Sequence, residues 1–449
     1  MKTRSNIYIV WKKEGGILFI DKNFSINSQG HLAISGIDTL TLAKKFKTPL
    51  YIIDEDSFRK QCRKIKSIMT KFYGQNSLVC FASKAFCCKE IFKIIQQEAL
   101  GIDTVSIGEM FTAIEAGFNP KNIYLHGNNK SVDEIKYAIK NKIGKIVVDN
   151  FVELNLIDQI ATETNSKVNV LIRVKPGVDA HVHESIKTGQ ISSKFGFIIP
   201  TGEALLAVKK AIMSKNINLI GIHCHIGSQI VEAAPFVLAA RAMIEFLNSI
   251  KKETGQTISE LNLGGGFGIN YLPHEETLDI ENCFKLVFSE IEKNCSKFNL
   301  KIPFIVIEPG RFLIAKAGIT LYTIGCVKKI PGIKTYIFVD GGMTDNPRFA
   351  LYGSVYDFCV ANRANCEKTE VVSIAGKCCE SGDLLGEKIK LQPAQPGDVL
   401  AVFATGAYNY SMASNYNKIL KPAVVFVKND KARLAVKRQT LEQLIENDL

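Results

Sequence analysis

The chain has 449 residues, 46% of them hydrophobic, 22% charged and 9% aromatic, a balance that excludes wholesale disorder, collagen-like repeats and low-complexity scaffolds. Its 56 Lys and Arg against 44 Asp and Glu leave a net charge of +12. The lysines are scattered through helical patterns with no basic block, so a solvated surface is expected, with no nucleic-acid or membrane partner.

In chain order, the first 45 residues carry short strand-like runs, IYIVW from Ile7 and ILFID from Ile17. The apolar stretch Ile7 to Trp11 stops at Lys12 and Lys13, too short for a signal sequence, and no run reaches the ~18–20 apolar residues of a membrane helix. A cytoplasmic protein is expected. The 12 cysteines contain no CxxC pair, so they read as reduced thiols, and no metal site is expected.

Eight near-continuous apolar runs follow: LVCFAS, IDTVS, NIYLHG, KIVVDN, VNVLIRV, LIGIHCHIG, ELNLGGG and FIVIEPG. Strands buried on both faces of a parallel sheet read this way. Helical patterns such as CKEIFKIIQQEAL and APFVLAARAMIEFLNSIKKE separate them. Eight such alternations over about 230–260 residues predict an α/β fold, a (β/α)8 TIM-like barrel, with an open doubly wound sheet as the alternative.

After Arg311 strand-like runs recur between Gly, Pro and Asn turns, and helix patterns are nearly absent until QTLEQLIEN. A mostly β second domain, sandwich- or barrel-like, is predicted. Residues 1–45 and 311–449 are assigned to it, and residues 46–310 to the barrel. The first segment is expected to pair with the β domain.

Barrel chemistry sits where the strands end at their C-termini. The runs end in Ser83-Lys84, Asp103 to Ser106, His126-Gly127-Asn128, Asp149, Arg173, His225 to Ser228, Gly264 to Gly268 and Glu308 to Arg311. Lys84 lies between small apolar neighbours, where desolvation would lower its pKa and supply the neutral amine of a Schiff base. Gly264–Gly268 is not GxGxxG, and it suits a single phosphate better than a dinucleotide. Glu308 reads either as a salt-bridge partner of Arg311 or as the carboxylate that keeps a pyridine nitrogen protonated. His225 is a core histidine or an aromatic plate against a cofactor ring. Together these point to pyridoxal 5′-phosphate.

The strings CFASKAF, GIDTVSIGEM, HVHESIKTGQISSKFGF, GIHCHIGSQ, LNLGGGFG, EPGRFLIAKAG, DNPRFALYG, CCESGD, TGAYNYSMASNYN and KRQTLEQL resemble, in order and spacing, the fold-type III pyridoxal-phosphate decarboxylases, and within them the diaminopimelate decarboxylases. The likeness runs from about Thr48 to the C-terminus. It implies decarboxylation of meso-2,6-diaminopimelate to L-lysine and CO2. It implies that Lys84 bonds covalently to the cofactor, that Ser228, Gly266, Glu308, Gly310, Arg311 and Tyr408 hold it, and that His225 stacks on its ring. Arg311, Arg348, Tyr352, Glu380 and Tyr408 would hold the substrate, and Cys379 would be the proton donor. The family supplies CESGD from a second subunit, which implies a homodimer with shared sites.

Residue chemistry agrees with these roles. Arginine suits the substrate's distal carboxylate and Glu380 its ammonium. Alternatives on the same fold are decarboxylases of ornithine, lysine or arginine, for which Arg348 and Tyr352 would have no purpose. A non-catalytic homologue is a further alternative, and it would be expected to have lost Lys84 or Cys379. Phe86, Lys175 and Lys377, with its neighbour Cys378, depart from the family pattern.

Overall fold

The computed structural model describes residue 19, residues 21–178 and residues 192–449. IYIVW, most of ILFID and the first part of HVHESIKTGQISSKFGF lie outside the described residues. Each of the eight predicted runs forms a strand: β1 (Ser77–Ala82), β2 (Gly101–Thr104), β3 (Ile123–Leu125), β4 (Lys145–Val148), β5 (Val168–Lys175), β6 (Ile217–His223), β7 (Glu260–Asn262) and β8 (Phe304–Ile307). Neighbours pair in parallel in that order. The register Ile305 to Ser77 then joins β8 back to β1 and closes the ring. A short strand, Phe197–Ile198, adds outside the ring on β5.

Strand alternation separates two cores. Cys80, Tyr124, Val147, Leu171 and Val306 point inward and fill the barrel, while Phe81, Ile102, Ile123, Ile146, Ile172, Leu261 and Ile305 pack outward on the helices. Low in the interior, Tyr124 donates its hydroxyl to Glu260 Oε1 at 2.8 Å. Lys145 Nζ meets Glu260 Oε2 at 2.7 Å. These groups plug the floor, so the open polar surface lies at the opposite rim.

The second domain is built on the long strand Gly318–Ile330. Lys334–Val339 lies on one side of it, and Leu50–Asp54 and Val399–Phe403 also pair with it antiparallel. Leu50–Asp54 corrects the predicted boundary at residue 46. It lies between Gly318–Ile330 and Ala423–Lys428 in the β domain, and barrel structure starts with the helix Glu55–Tyr73. The runs expected to pair with the β domain, IYIVW and most of ILFID, lie outside the described residues. Phe24–Ile26, Leu32–Ile34 and Ile37–Asp38 form a three-stranded sheet of their own, which packs on the β domain through the edge-on contact of Phe24 with Phe403 at 4.9 Å.

Glu55 fastens the two domains. From the first turn of its helix it accepts Arg59 at 2.7 Å and Lys428 at 3.0 Å. It also pairs with Arg433, which in turn reaches Glu90 at 2.6 Å. Burial pushes the Glu55 carboxyl up, but the bonds from Arg59, Lys428 and Arg433 outweigh it and lower its pKa from 4.5 to about 2. A lowered folded pKa stabilises the fold above the unfolded value and is lost on acidification. Glu55→Gln is therefore expected to lower the melting temperature at neutral pH. The gap from wild type should close as pH falls from 4.5 towards about 2, measured by thermal unfolding across that range.

Candidate active site

A cavity of about 750 Å³ opens at the barrel rim, lined by strand ends and by the second-domain residues Arg348, Tyr352, Tyr408 and Met412. Lys84 lies in the single turn Ser83–Ala85 directly after β1. Its side chain is exposed to the cavity. The turn is held from the other domain, since Tyr408 N–H donates to Ala85 O at 2.8 Å. Phe86 points away from the cavity and stacks on Tyr410 at 4.8 Å.

Glu308 follows β8. It does not pair with Arg311. Its Oε1 accepts His126 Nε2 at 2.8 Å and Asn262 Nδ2 at 2.7 Å. Its Oε2 accepts His223 Nε2 at 3.1 Å. A carboxylate only accepts, so both histidines carry the proton on Nε2. Burial acts to raise the Glu308 pKa, but the two histidines overcome it and hold the carboxyl well below its ordinary value. Burial pushes the His223 pKa down to about 4 and that of His126 down as well. Beside them Asp103 is pushed up, first by burial and then by the charge of Glu308.

His225 stands two residues beyond His223. Its Nδ1 accepts the Gly265 N–H at 3.2 Å. Burial, and then the charges of Lys84 and Arg173, push its pKa well down, which leaves a neutral ring at the cavity wall.

The glycine loop after β7 packs without room for side chains. A Cβ on Gly265 would lie 2.2 Å from Glu308 O, and one on Gly266 (φ +106°) 2.3 Å from Gly227 O. The next long helix, Ile280–Lys297, does not start at this loop, so backbone rather than a helix end forms the cradle. At Gly310 a Cβ would lie 3.3 Å from the Tyr408 hydroxyl.

Arg311 is buried. It donates to the Tyr271 hydroxyl, and to Ser228 Oγ at 3.2 Å. Its guanidinium lies 4.8 Å from the Tyr408 ring centre. Arg348, also buried, donates to Ser354 Oγ at 3.3 Å and lies over the Tyr352 and Tyr408 rings at 5.3 and 5.4 Å. Nε of each arginine is buried without a partner, so both keep capacity for an anion.

Cys379 and Glu380 do not join this group. Both are exposed, and neither lines the cavity. Cys379 N–H donates to Asn417 Oδ1 at 2.9 Å, while Glu380 Oε1 accepts the N–H of Gly382 at 3.2 Å. Lys377 is exposed in the same loop, and Lys175 donates to Ser193 O at 2.9 Å.

The sequence reading passed over His223, Asn262 and Tyr271. The alternation His223-Cys224-His225 was the available signal, since a period of two sends both histidines to one side.

The residues fit pyridoxal 5′-phosphate. The glycine loop lines the cavity with bare backbone at Gly265 and Gly266, a neutral imidazole and an ionised buried carboxylate line the same cavity, and an arginine with an orphaned Nε faces it. Fold and site define a pyridoxal-phosphate-dependent decarboxylase of the barrel type. The family model described as "Pyridoxal-dependent decarboxylase, pyridoxal binding domain" matches residues 55–315. The diaminopimelate decarboxylase of Bacillus subtilis (strain 168) is 45% identical over 432 residues, covering 96% of this chain and 98% of that protein. That of Bacillus methanolicus is 47% identical over 414 residues, covering 92% and 96%. The solved diaminopimelate decarboxylase of M. jannaschii in complex with L-lysine superposes with a TM-score of 0.87 at 33% identity, covering 95% of this chain and 98% of that one. The chain belongs to the diaminopimelate decarboxylase family of carboxy-lyases.

Gly266→Ala is expected to weaken cofactor binding at least about tenfold, because its Cβ would have to displace Gly227 O. Titration of the apoprotein with pyridoxal 5′-phosphate, followed by absorbance, measures this.

Proposed function

We propose that the protein decarboxylates meso-2,6-diaminopimelate to L-lysine and CO2 in this cavity, as a homodimer with shared sites. The observation that carries the reading is the convergence of Lys84, His225, Glu308, Arg311 and Arg348 on one cavity. The cofactor, when bound, supplies a sink for the electron pair left on the substrate as CO2 departs.

The chain's own residues divide the remaining work. The Lys84 amine would hold the cofactor through its aldehyde, with water lost. Gly266, Ser228, Gly310, Arg311 and Tyr408 would bind the cofactor, and His225 would cover one face of its ring. Neutral His225 adds area without a repelling charge. Glu308, held as an anion, stabilises a proton on the ring nitrogen. Arg348 and Arg311 engage carboxylate, Arg348 with its fork flattened against Tyr352 and Tyr408. Ornithine and lysine have no second carboxylate to fill that fork.

Cys379 and Glu380 of the partner subunit complete the site. Cys379 delivers the proton that replaces the carboxyl group, and Glu380 receives the distal ammonium. The cavity mouth supports this, since Leu351, Tyr352 and Val355 beside it are 55%, 41% and 39% exposed. A second copy would cover such apolar surface. A cytoplasmic location is supported by the 12 cysteines, all free.

Lys84→Ala is expected to abolish turnover. Arg348→Ala is expected to raise KM for diaminopimelate about 10- to 100-fold, the loss of a charged hydrogen bond, with cofactor affinity unchanged. Unchanged kinetics in Arg348→Ala would remove the substrate assignment. Sharing of sites is tested by mixing inactive Lys84→Ala with inactive Cys379→Ala. Random exchange makes half the dimers mixed, each with one intact site, so roughly a quarter of wild-type activity should return. No recovery after confirmed exchange would mean each subunit works alone.

A further inference from the structure

Three strand ends converge on Glu308. His126 follows β3, His223 closes β6 and Asn262 closes β7, and all three are buried. Their donors reach the carboxylate at 2.8, 3.1 and 2.7 Å. The geometry restricts each of them. Asn262 Oδ1 accepts the Gly264 N–H at 2.9 Å, which fixes its amide with the NH2 group towards Glu308. The His126 and His223 rings meet edge to face at 4.9 Å and 69°, so neither turns without displacing the other. Oε1 thus accepts two donors and Oε2 only one.

A buried carboxyl beside a ring nitrogen has two ways to share one proton. It can be an anion next to a protonated nitrogen, or a neutral acid next to a neutral nitrogen. Burial favours the neutral pair, because it removes two desolvated charges. Hydrogen-bond donors aimed at both oxygens favour the anion, because an acid accepts fewer bonds. The donors around Glu308 are neutral groups, so they stabilise its charge without cancelling it.

We propose that His126, His223 and Asn262 are positioning residues. They keep Glu308 ionised and leave Oε2 able to accept one more hydrogen bond, so that the shared proton resides on the cofactor's ring nitrogen. This rests on the reading that Glu308 faces that nitrogen. The decarboxylation step depends on that proton, although none of the three side chains need touch the substrate.

The test uses holoenzyme carrying cofactor labelled with ¹⁵N in the ring, observed by NMR alongside kcat and KM. In wild type the resonance is expected in the protonated range. His126→Phe and His223→Phe each remove one bond to a charged group, so each should shift the balance between the two forms about 10- to 100-fold towards the unprotonated one. kcat should fall while KM changes little. His223→Gln, which retains a donor, should restore the protonated signal. Glu308→Gln separates the two readings. If it leaves the signal protonated, the assignment of Glu308 to the ring nitrogen is wrong. If it moves the signal and neither Phe variant does, the positioning role alone is overturned. A second measurement needs no variant. In ¹⁵N-histidine-labelled wild-type holoenzyme, His126 and His223 must both be neutral Nε2–H tautomers, and an imidazolium or an Nδ1–H tautomer at either ring overturns the proposal.

Discussion

Closure of the barrel is the constraint on which the rest depends. The pairing of Ile305, Val306 and Ile307 with Ser77, Leu78 and Val79 brings the last strand against the first. Ala82 N–H then donates to Pro309 O at 3.2 Å. Lys84 and Glu308 stand near opposite ends of the barrel sequence, and only this seam makes them neighbours. The inward Cys80 and Val306 pack in the same small core as Tyr124, Val147 and Leu171. Loss of that packing would separate Lys84 from Glu308 before either side chain changed.

Around that seam the charges are arranged by burial. Glu308 stays ionised because donors from three other strands reach it, and Asp103 beside it is pushed the other way by the same anion. Arg311 and Arg348 lie against aromatic faces and keep Nε unpartnered. The cavity thus holds both a buried anion and guanidinium groups. A ligand that carries both a protonated ring nitrogen and a carboxylate finds a partner for each there.

Much of this was legible in the sequence, for definable reasons. A strand buried on both faces writes a continuous apolar run, so all eight barrel strands could be read, and so could the polar residue after each. Leu50–Asp54 is buried along its whole length and reads the same in either domain, so its place in the β sheet was not legible. His223 looks like a core histidine until the ring closes and sets it against β8. The exposed position of Lys84 was hidden because Ala82, Ala85 and Phe86 are apolar and do bury, while the turn between them throws one side chain outward. Cys379 and Glu380 were singled out by their motif, and the structure sets both outside the lining of their own chain's cavity.

The plugged floor has a consequence for traffic. With Lys145, Tyr124 and Glu260 bonded to one another beneath a close-packed layer, the barrel is a well and not a tube. Among the described residues, amino acid and carbon dioxide share one doorway at the upper rim, so the gas departs past the same residues that admitted its parent.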